Sequence, residues 1–167
     1  EVKVRQIPDL DDEFAQDFKE EYKSVKDPAV TVMMPVVGEE NTFFLAWTTT
    51  PWTLPSNLAL CVNAKMTYVK FYDEDRKQSF YMLEKLMSTL PNAKKAHRKV
   101  VAKMLGSELV GKKYTPLFPY FADREKCFVV LSDDYVSDDS GTGIVHQAPG
   151  FGEDDYRVCL AHHIVEK

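Results

Sequence analysis

Thr42-Phe43-Phe44-Leu45-Ala46-Trp47-Thr48-Thr49-Thr50-Pro51-Trp52-Thr53-Leu54-Pro55-Ser56-Asn57 changes character halfway along its length. Thr42 to Trp47 is short, aromatic and apolar, and reads as a strand. Pro51 and Pro55 end it, because proline lacks an amide donor and restricts the residue before it. Outward from this break the chain stays rich in β signals. Val30 to Val36 alternates and stops near Gly38, and Leu58 to Val62, Thr67 to Tyr72, Ser79 to Leu83 and Cys127 to Leu131 read as further strands. Helical character rises over Leu83 to Leu90, and Val100 to Leu105 fits a strand or a helix end. Tyr114 to Phe121, rich in proline and aromatics, reads as an ordered loop. An amphipathic helix is expected from Glu153, with Tyr156, Cys159, Leu160 and His163 or Ile164 on one face. Many short strands with few helices predict an α+β fold built as a β-barrel-like core with peripheral helices.

A chain of 167 residues, 44% hydrophobic and 28% charged, has the length and composition of one ordinary domain with a real core. No apolar run approaches the roughly 20 residues that span a bilayer, and the first residues carry neither a signal-peptide nor a transit pattern. The chain begins with Glu1, which reads as a piece of something longer. The three cysteines, Cys61, Cys127 and Cys159, are odd in number and widely spaced, which argues against a disulfide framework or a thiolate zinc site and for a reducing compartment. Adjacent His162 and His163 point apart on a helix and do not make a metal pair.

The net charge of −5 argues against extensive gripping of a nucleic-acid backbone, which needs cations. Charge is distributed unevenly. Residues 1–22 hold eight acids and three bases and suggest an acidic arm over residues 1–24, with a folded domain over 25–167. Lys94, Lys95, Arg98, Lys99 and Lys103 form a basic run without an acid. That run fits a solvated face, or a local patch that steers phosphate if a nucleic-acid end must reach a nearby pocket. Neither a dinucleotide fingerprint nor a Walker loop is present, so ATP chemistry has no motif here.

Two segments carry chemistry. In the first, Thr48, Thr49, Thr50 and Thr53 place four hydroxyls on a proline-stiffened strand exit. They could orient a water, a ribose hydroxyl or a carbonyl oxygen, or simply serve as strand and turn residues. The second is Gly141-Thr142-Gly143-Ile144-Val145-His146-Gln147-Ala148-Pro149-Gly150-Phe151-Gly152-Glu153-Asp154-Asp155-Tyr156. Here a glycine turn leads into a short strand with a histidine near its end, then a second glycine turn and an acidic helix start. His146 and a first-turn carboxylate can converge on one pocket, where the carboxylate could hold a substrate ammonium. Equally, His146 can be a core histidine, and the acids can oppose the helix dipole.

Together these two segments, with the flanks "AWTTTPWTLPSNLALCVN" and "GKKYTPLFPYF", resemble the editing domain inserted in the catalytic domain of isoleucyl-tRNA synthetases, in the cytoplasmic eukaryotic style, over roughly residues 25–165. Related valyl and leucyl enzymes typically carry Arg-Pro-Glu or Arg-Pro-Asp where this chain has Thr50-Pro51-Trp52, and lack a histidine like His146. The aminoacylation signatures of the family are absent, so the resemblance implies a cytoplasmic ester hydrolase that does not aminoacylate. It implies catalytic roles for Thr48, Thr49, Thr50 and Asp155, the last as acceptor for the α-ammonium of misplaced valine. It assigns substrate contacts to Trp52, Thr53, Asn57 and His146, with His146 crowding the side-chain pocket. The implied partners are the 3′ end of misacylated tRNA(Ile), valine or valyl-adenylate, and the rest of a parent synthetase, with no membrane. No metal or cofactor is expected in this domain; ATP and Mg²⁺ would act elsewhere in the parent enzyme. Alternatives are a module that only holds the tRNA end, a spacer, or the editing domain of a related synthetase.

Overall fold

The computed structural model describes residues 29–91 and 97–166. The acidic arm expected over residues 1–24 lies outside them, as do Lys94 and Lys95. The described strands are β1 (Val30–Pro35), β2 (Thr42–Thr48), β3 (Ala59–Val62), β4 (Thr67–Asp73), β5 (Gln78–Leu83), β6 (Arg98–Leu105), β7 (Val129–Ser132) and β8 (Val145–Gln147). The α-helix, α1, spans Glu153–Ala161.

Five strands form one sheet in the order β1-β2-β5-β4-β6, and three form another in the order β7-β3-β8. Both sheets are mixed: β2 runs parallel to β5 and β3 parallel to β7, while the remaining pairs are antiparallel. All four residues of β3 are buried, as expected for a strand with a neighbour on each edge and both faces covered. This accounts for the unbroken apolar run Ala59-Leu60-Cys61-Val62, where alternation would fail. β6 is the opposite case, an edge strand with Val100, Val101 and Leu105 partly exposed and with Lys99 and Lys103 facing water, while Arg98 folds in against Asp73.

The barrel-like core expected from the strand count is not what forms. The two sheets stay open. β2 pairs with β5 over Thr42 to Phe44 only, and then the two strands separate. The gap between them admits the Gly141–Gly143 turn, where the Leu83 amide donates to the Thr142 carbonyl at 2.8 Å. Gly143 has φ +73° and a Cβ there would collide with Leu83, so this insertion requires glycine twice over. The Tyr68 hydroxyl fastens the turn from below by donating to the Gly143 carbonyl at 2.6 Å.

Among the described residues the peripheral helices reduce to α1 and short 3₁₀ turns. Leu83 to Leu90 becomes the 3₁₀ segment Glu84–Thr89; the Thr89 hydroxyl donates to the Leu86 carbonyl at 2.7 Å, and the chain turns away at Pro91. Val100 to Leu105 resolves as strand. α1 begins at Glu153 as expected, but its buried stripe is Val158, Cys159 and, beyond its end, Ile164, while Tyr156 and His163 face solvent. The three cysteines are free and buried. No described helix is long and apolar enough to cross a membrane.

Glu39 anchors the hairpin end of the large sheet. It receives hydrogen bonds from Lys70 at 2.7 Å, Lys112 at 2.6 Å and the Tyr81 hydroxyl at 2.8 Å. Burial opposes its charge, but hydrogen bonds from Lys112, Lys70 and Tyr81 outweigh that and hold its pKa at about 2, against an ordinary 4.5. A carboxylate depressed in the folded state contributes stability that is fully present above its unfolded pKa and is lost as pH falls through the folded one. Glu39→Gln is therefore expected to lower stability at neutral pH and to flatten its fall between about pH 4.5 and about pH 2, as read by urea denaturation at a series of pH values.

Candidate active site

The Thr-rich segment is the crossover between the two sheets. β2 ends at Thr48, the 3₁₀ turn Pro51–Ser56 follows, and β3 begins at Ala59. Pro51 suits the first position of that turn, where no amide donor is needed. The segment is held by its own hydroxyls. The Thr50 amide donates to the Thr48 hydroxyl at 3.0 Å, and the Thr53 hydroxyl donates to the Thr50 carbonyl at 2.8 Å.

β8 lies antiparallel to β3 with His146 opposite Leu60, which sets the imidazole against this turn. His146 Nε2 is 2.8 Å from the Thr53 hydroxyl, and Nδ1 is 3.5 Å from the Asn57 side-chain nitrogen. The ring is buried, which pushes its pKa down, while the Asp155 charge works weakly the other way. The imidazole is therefore neutral at pH 7.

Asp155 sits in the first turn of α1. Its Oδ1 accepts from the Ala148 amide at 2.7 Å, closing the second glycine turn back onto the helix. Oδ2 accepts no hydrogen bond from a described residue. It folds over Gly152, where a Cβ would collide with it, so the glycine makes room for the carboxylate.

These elements surround one cleft of about 430 Å³. Thr48, Thr49, Thr50, Trp52, Thr53, His146 and Asp155 all line it, so seven of the residues singled out from the sequence converge although they come from two segments about 90 positions apart. Trp52 is 66% exposed and stands at the rim. The eighth, Asn57, is buried behind His146 and touches the cleft only through it. Among the described lining residues Asp155 is the one carboxylate and His146 the one imidazole.

Sequence reasoning missed three participants. Trp47, read as the end of an apolar strand, lines the cleft and packs on Gly141. Tyr135 also lines it, and its hydroxyl accepts from Gln147 Nε2 at 2.6 Å. Tyr114, fully buried in the Pro-rich loop, donates to Asn57 Oδ1 at 2.5 Å. Nothing in their local patterns marks the two tyrosines, because both reach the site by long-range packing.

The described part of the basic run, Arg98, Lys99 and Lys103, does not line the cleft. It lies on β6, at the far edge of the large sheet, where Arg98 pairs with Asp73 at 3.2 Å and Lys103 pairs with Glu84. Of the described cations, Arg98 and Lys103 are committed to carboxylates, which leaves them poorly placed to steer phosphate. Among the described residues no cluster of three or more His, Cys, Asp or Glu side chains is placed to hold a metal.

The fold that frames this cleft is that of the editing domains inserted in class I aminoacyl-tRNA synthetases. The crystal structure of GlLeuRS-CP1 is similar at a TM-score of 0.64 and 16% identity, over 82% of this chain and 63% of that one. The cytosolic leucyl-tRNA synthetase editing domain of P. knowlesi is similar at a TM-score of 0.61 and 16% identity, over 78% of this chain and 62% of that one. No family model matches. In sequence, the chain is 56% identical over 152 residues to the cytoplasmic isoleucine–tRNA ligase of Saccharomyces cerevisiae, covering 89% of this chain and 14% of that protein. It is 49% identical over 148 residues to the cytoplasmic enzyme of Mus musculus, covering 87% of this chain and 12% of that one. The chain belongs to the cytoplasmic-type isoleucine–tRNA ligase family. It spans only 12–14% of the length of these two relatives.

Gly152→Ala tests the local geometry. The new methyl would force the Asp155 carboxylate away from the Ala148 amide, with an expected loss of about 1–3 kcal/mol, measured by chemical denaturation.

Proposed function

We propose that the cleft hydrolyses the ester of valyl-tRNA(Ile), removing valine that a synthetic site has attached in error. The observation that carries this reading is the convergence, in one cleft, of a lone carboxylate on a helix's first turn, a neutral buried histidine and a hydroxyl-rich rigid turn. Valine is one methylene smaller than isoleucine. A pocket that admits isoleucine rejects valine by only about 10–200-fold, the general value of one methylene, for which the isoleucine enzymes are themselves the standard worked case. Accuracy then needs a second site that admits the smaller side chain and excludes the larger.

The parts suit that task. Asp155 Oδ2 is available to accept from an α-ammonium, a charge-assisted contact that orients the amino acid. His146, neutral and held from both sides, forms a stiff wall against which one extra methylene would clash. Thr49, exposed at the cleft and with no hydrogen bond to a described side chain, and Thr50 beside it can hold the terminal ribose or the ester oxygen. Water attacks the ester carbonyl carbon, the bond to the ribose oxygen breaks, and the proton passes to that oxygen, releasing valine and tRNA. An ester is labile, so positioning the water and stabilising the oxyanion supply most of the rate. With His146 engaged and Asp155 held by the ammonium, the neighbouring ribose hydroxyl of the substrate is the natural proton carrier. Valyl-adenylate carries the same ammonium and side chain, and would enter by the same contacts.

Deacylation of valyl-tRNA(Ile) and isoleucyl-tRNA(Ile), measured with this chain alone and within a full-length ligase, tests the proposal. The valyl ester alone should be cleared. Asp155→Ala should reduce that activity by about 30-fold or more, the scale of losing one partner of a desolvated charge pair. His146→Ala should open the pocket, so that the isoleucyl ester is also attacked. A chain that only binds the tRNA end, or only spaces domains, would show no hydrolysis in either setting. Substrate lacking the free ribose hydroxyl should react far more slowly; an unchanged rate would remove that hydroxyl from the mechanism.

A further inference from the structure

We infer that Tyr114 is a positioning residue that locks His146 in one neutral tautomer, with the proton on Nε2. A chain of hydrogen bonds carries this. Asn57 Nδ2 donates to the Ala59 carbonyl at 2.8 Å, which tells its nitrogen from its oxygen. Its Oδ1 accepts from the Tyr114 hydroxyl at 2.5 Å, which fixes the amide plane from the other side. The remaining Asn57 N–H is thereby aimed at His146 Nδ1, 3.5 Å away. An N–H facing a ring nitrogen demands that the nitrogen be an acceptor, so Nδ1 carries no proton. The single ring proton then resides on Nε2, 2.8 Å from the Thr53 hydroxyl. That hydroxyl has already committed its own proton to the Thr50 carbonyl at 2.8 Å and is free to accept. Every donor finds an acceptor in this one arrangement, and in no other.

Protonating His146 would set N–H against N–H at Nδ1, in a buried place where such a mismatch is not relieved by water. Among the described residues Asp155 on α1 is the one charged group whose field favours the cation, and its Oδ1 is already engaged by the Ala148 amide. Tyr114 suits its task because it is not itself titratable near neutrality. It is almost wholly buried, and burial raises its pKa far above the ordinary value. Its ring is held edge-on by Phe128, centroids 6.0 Å apart. The backbone of the Pro-rich loop is pinned as well, the Tyr114 amide donating to the Phe128 carbonyl at 3.0 Å.

The consequence for selectivity rests on the editing reading; the tautomer does not. A histidine that cannot protonate, swap tautomers or flip presents an unchanging wall, and an unchanging wall is what a methylene-sized discrimination requires.

The test combines two readouts. ¹⁵N-histidine spectra of this chain at pH 7 should show His146 with a protonated Nε2 and an unprotonated Nδ1, and a slowly exchanging Tyr114 hydroxyl proton with a cross-peak to the Asn57 amide. Tyr114→Phe should move the two nitrogen shifts toward an average of tautomers, while valyl over isoleucyl discrimination in the ligase falls by about tenfold, the scale of one buried hydrogen bond. Nδ1 carrying the proton in the unaltered chain overturns the proposal, as does a Tyr114 hydroxyl that exchanges freely. A Tyr114→Phe chain that only melts earlier, with nitrogen shifts and discrimination unchanged, overturns it too. Deacylation absent throughout, with the spectra as stated, would sink the editing reading and leave the tautomer lock standing.

Discussion

A slip of one residue between Ala59–Val62 and Val145–Gln147 would turn His146 onto the opposite face of the small sheet. The pairing of Leu60 with His146 is the constraint on which the site depends. It is enforced from several sides. Leu60 and its neighbours are buried on both faces, β7 closes the other edge of β3, and the Leu58 amide donates to the Gln147 carbonyl at 2.9 Å. With that register set, the turn leading into β3 and the histidine of β8 must meet, and the helix that follows β8 must start beside them. The cleft is a by-product of strand pairing before it is a place for chemistry.

The same economy governs charge. The chain is acidic overall, and many of its cations are tied to carboxylates: Lys70 and Lys112 to Glu39, Arg98 to Asp73, Arg157 to Asp133 and Asp154. The cleft itself holds a carboxylate and a neutral ring, with no lining cation among the described residues. Such a place favours a small group with a positive end. It offers little to a run of phosphates, so affinity for a long nucleic acid has to come from elsewhere. The chain spans a small part of the ligases it matches.

Rigidity takes the place of reactive groups. His146 has both nitrogens committed, Thr53 has its hydroxyl shared between two partners, and Asp155 has one oxygen tied to a backbone amide. Groups so engaged make poor bases but well-defined surfaces. On the proposed reading, an ester that hydrolyses readily and a selectivity that turns on one methylene make shape the scarcer resource.

Much of this was legible in the residues. The strand at Thr42 and its break at Pro51, the glycine turns about Gly143 and Gly152 and the start of α1 at Glu153 follow from local rules of backbone and capping, and local rules do not need the rest of the chain. The chemical character of the two segments, hydroxyls in one and histidine with carboxylates in the other, was equally open to reading. Closure was not. A count of strands cannot tell a barrel from two open sheets, because that depends on whether β2 stays with β5 beyond Phe44, and the insertion of a distant glycine turn decides it. Nor could periodicity show that Tyr156 would face water and Val158 the core, since a nine-residue helix takes its buried stripe from what lies beneath it. The sequence by itself determined which groups are available and where the backbone turns. Tertiary structure alone decided that Asn57 stands behind His146 and not in the cleft, and that Tyr114, Tyr135 and Trp47 belong to the site, because hydrogen bonds and packing between residues far apart in the chain exist only once the sheets have formed.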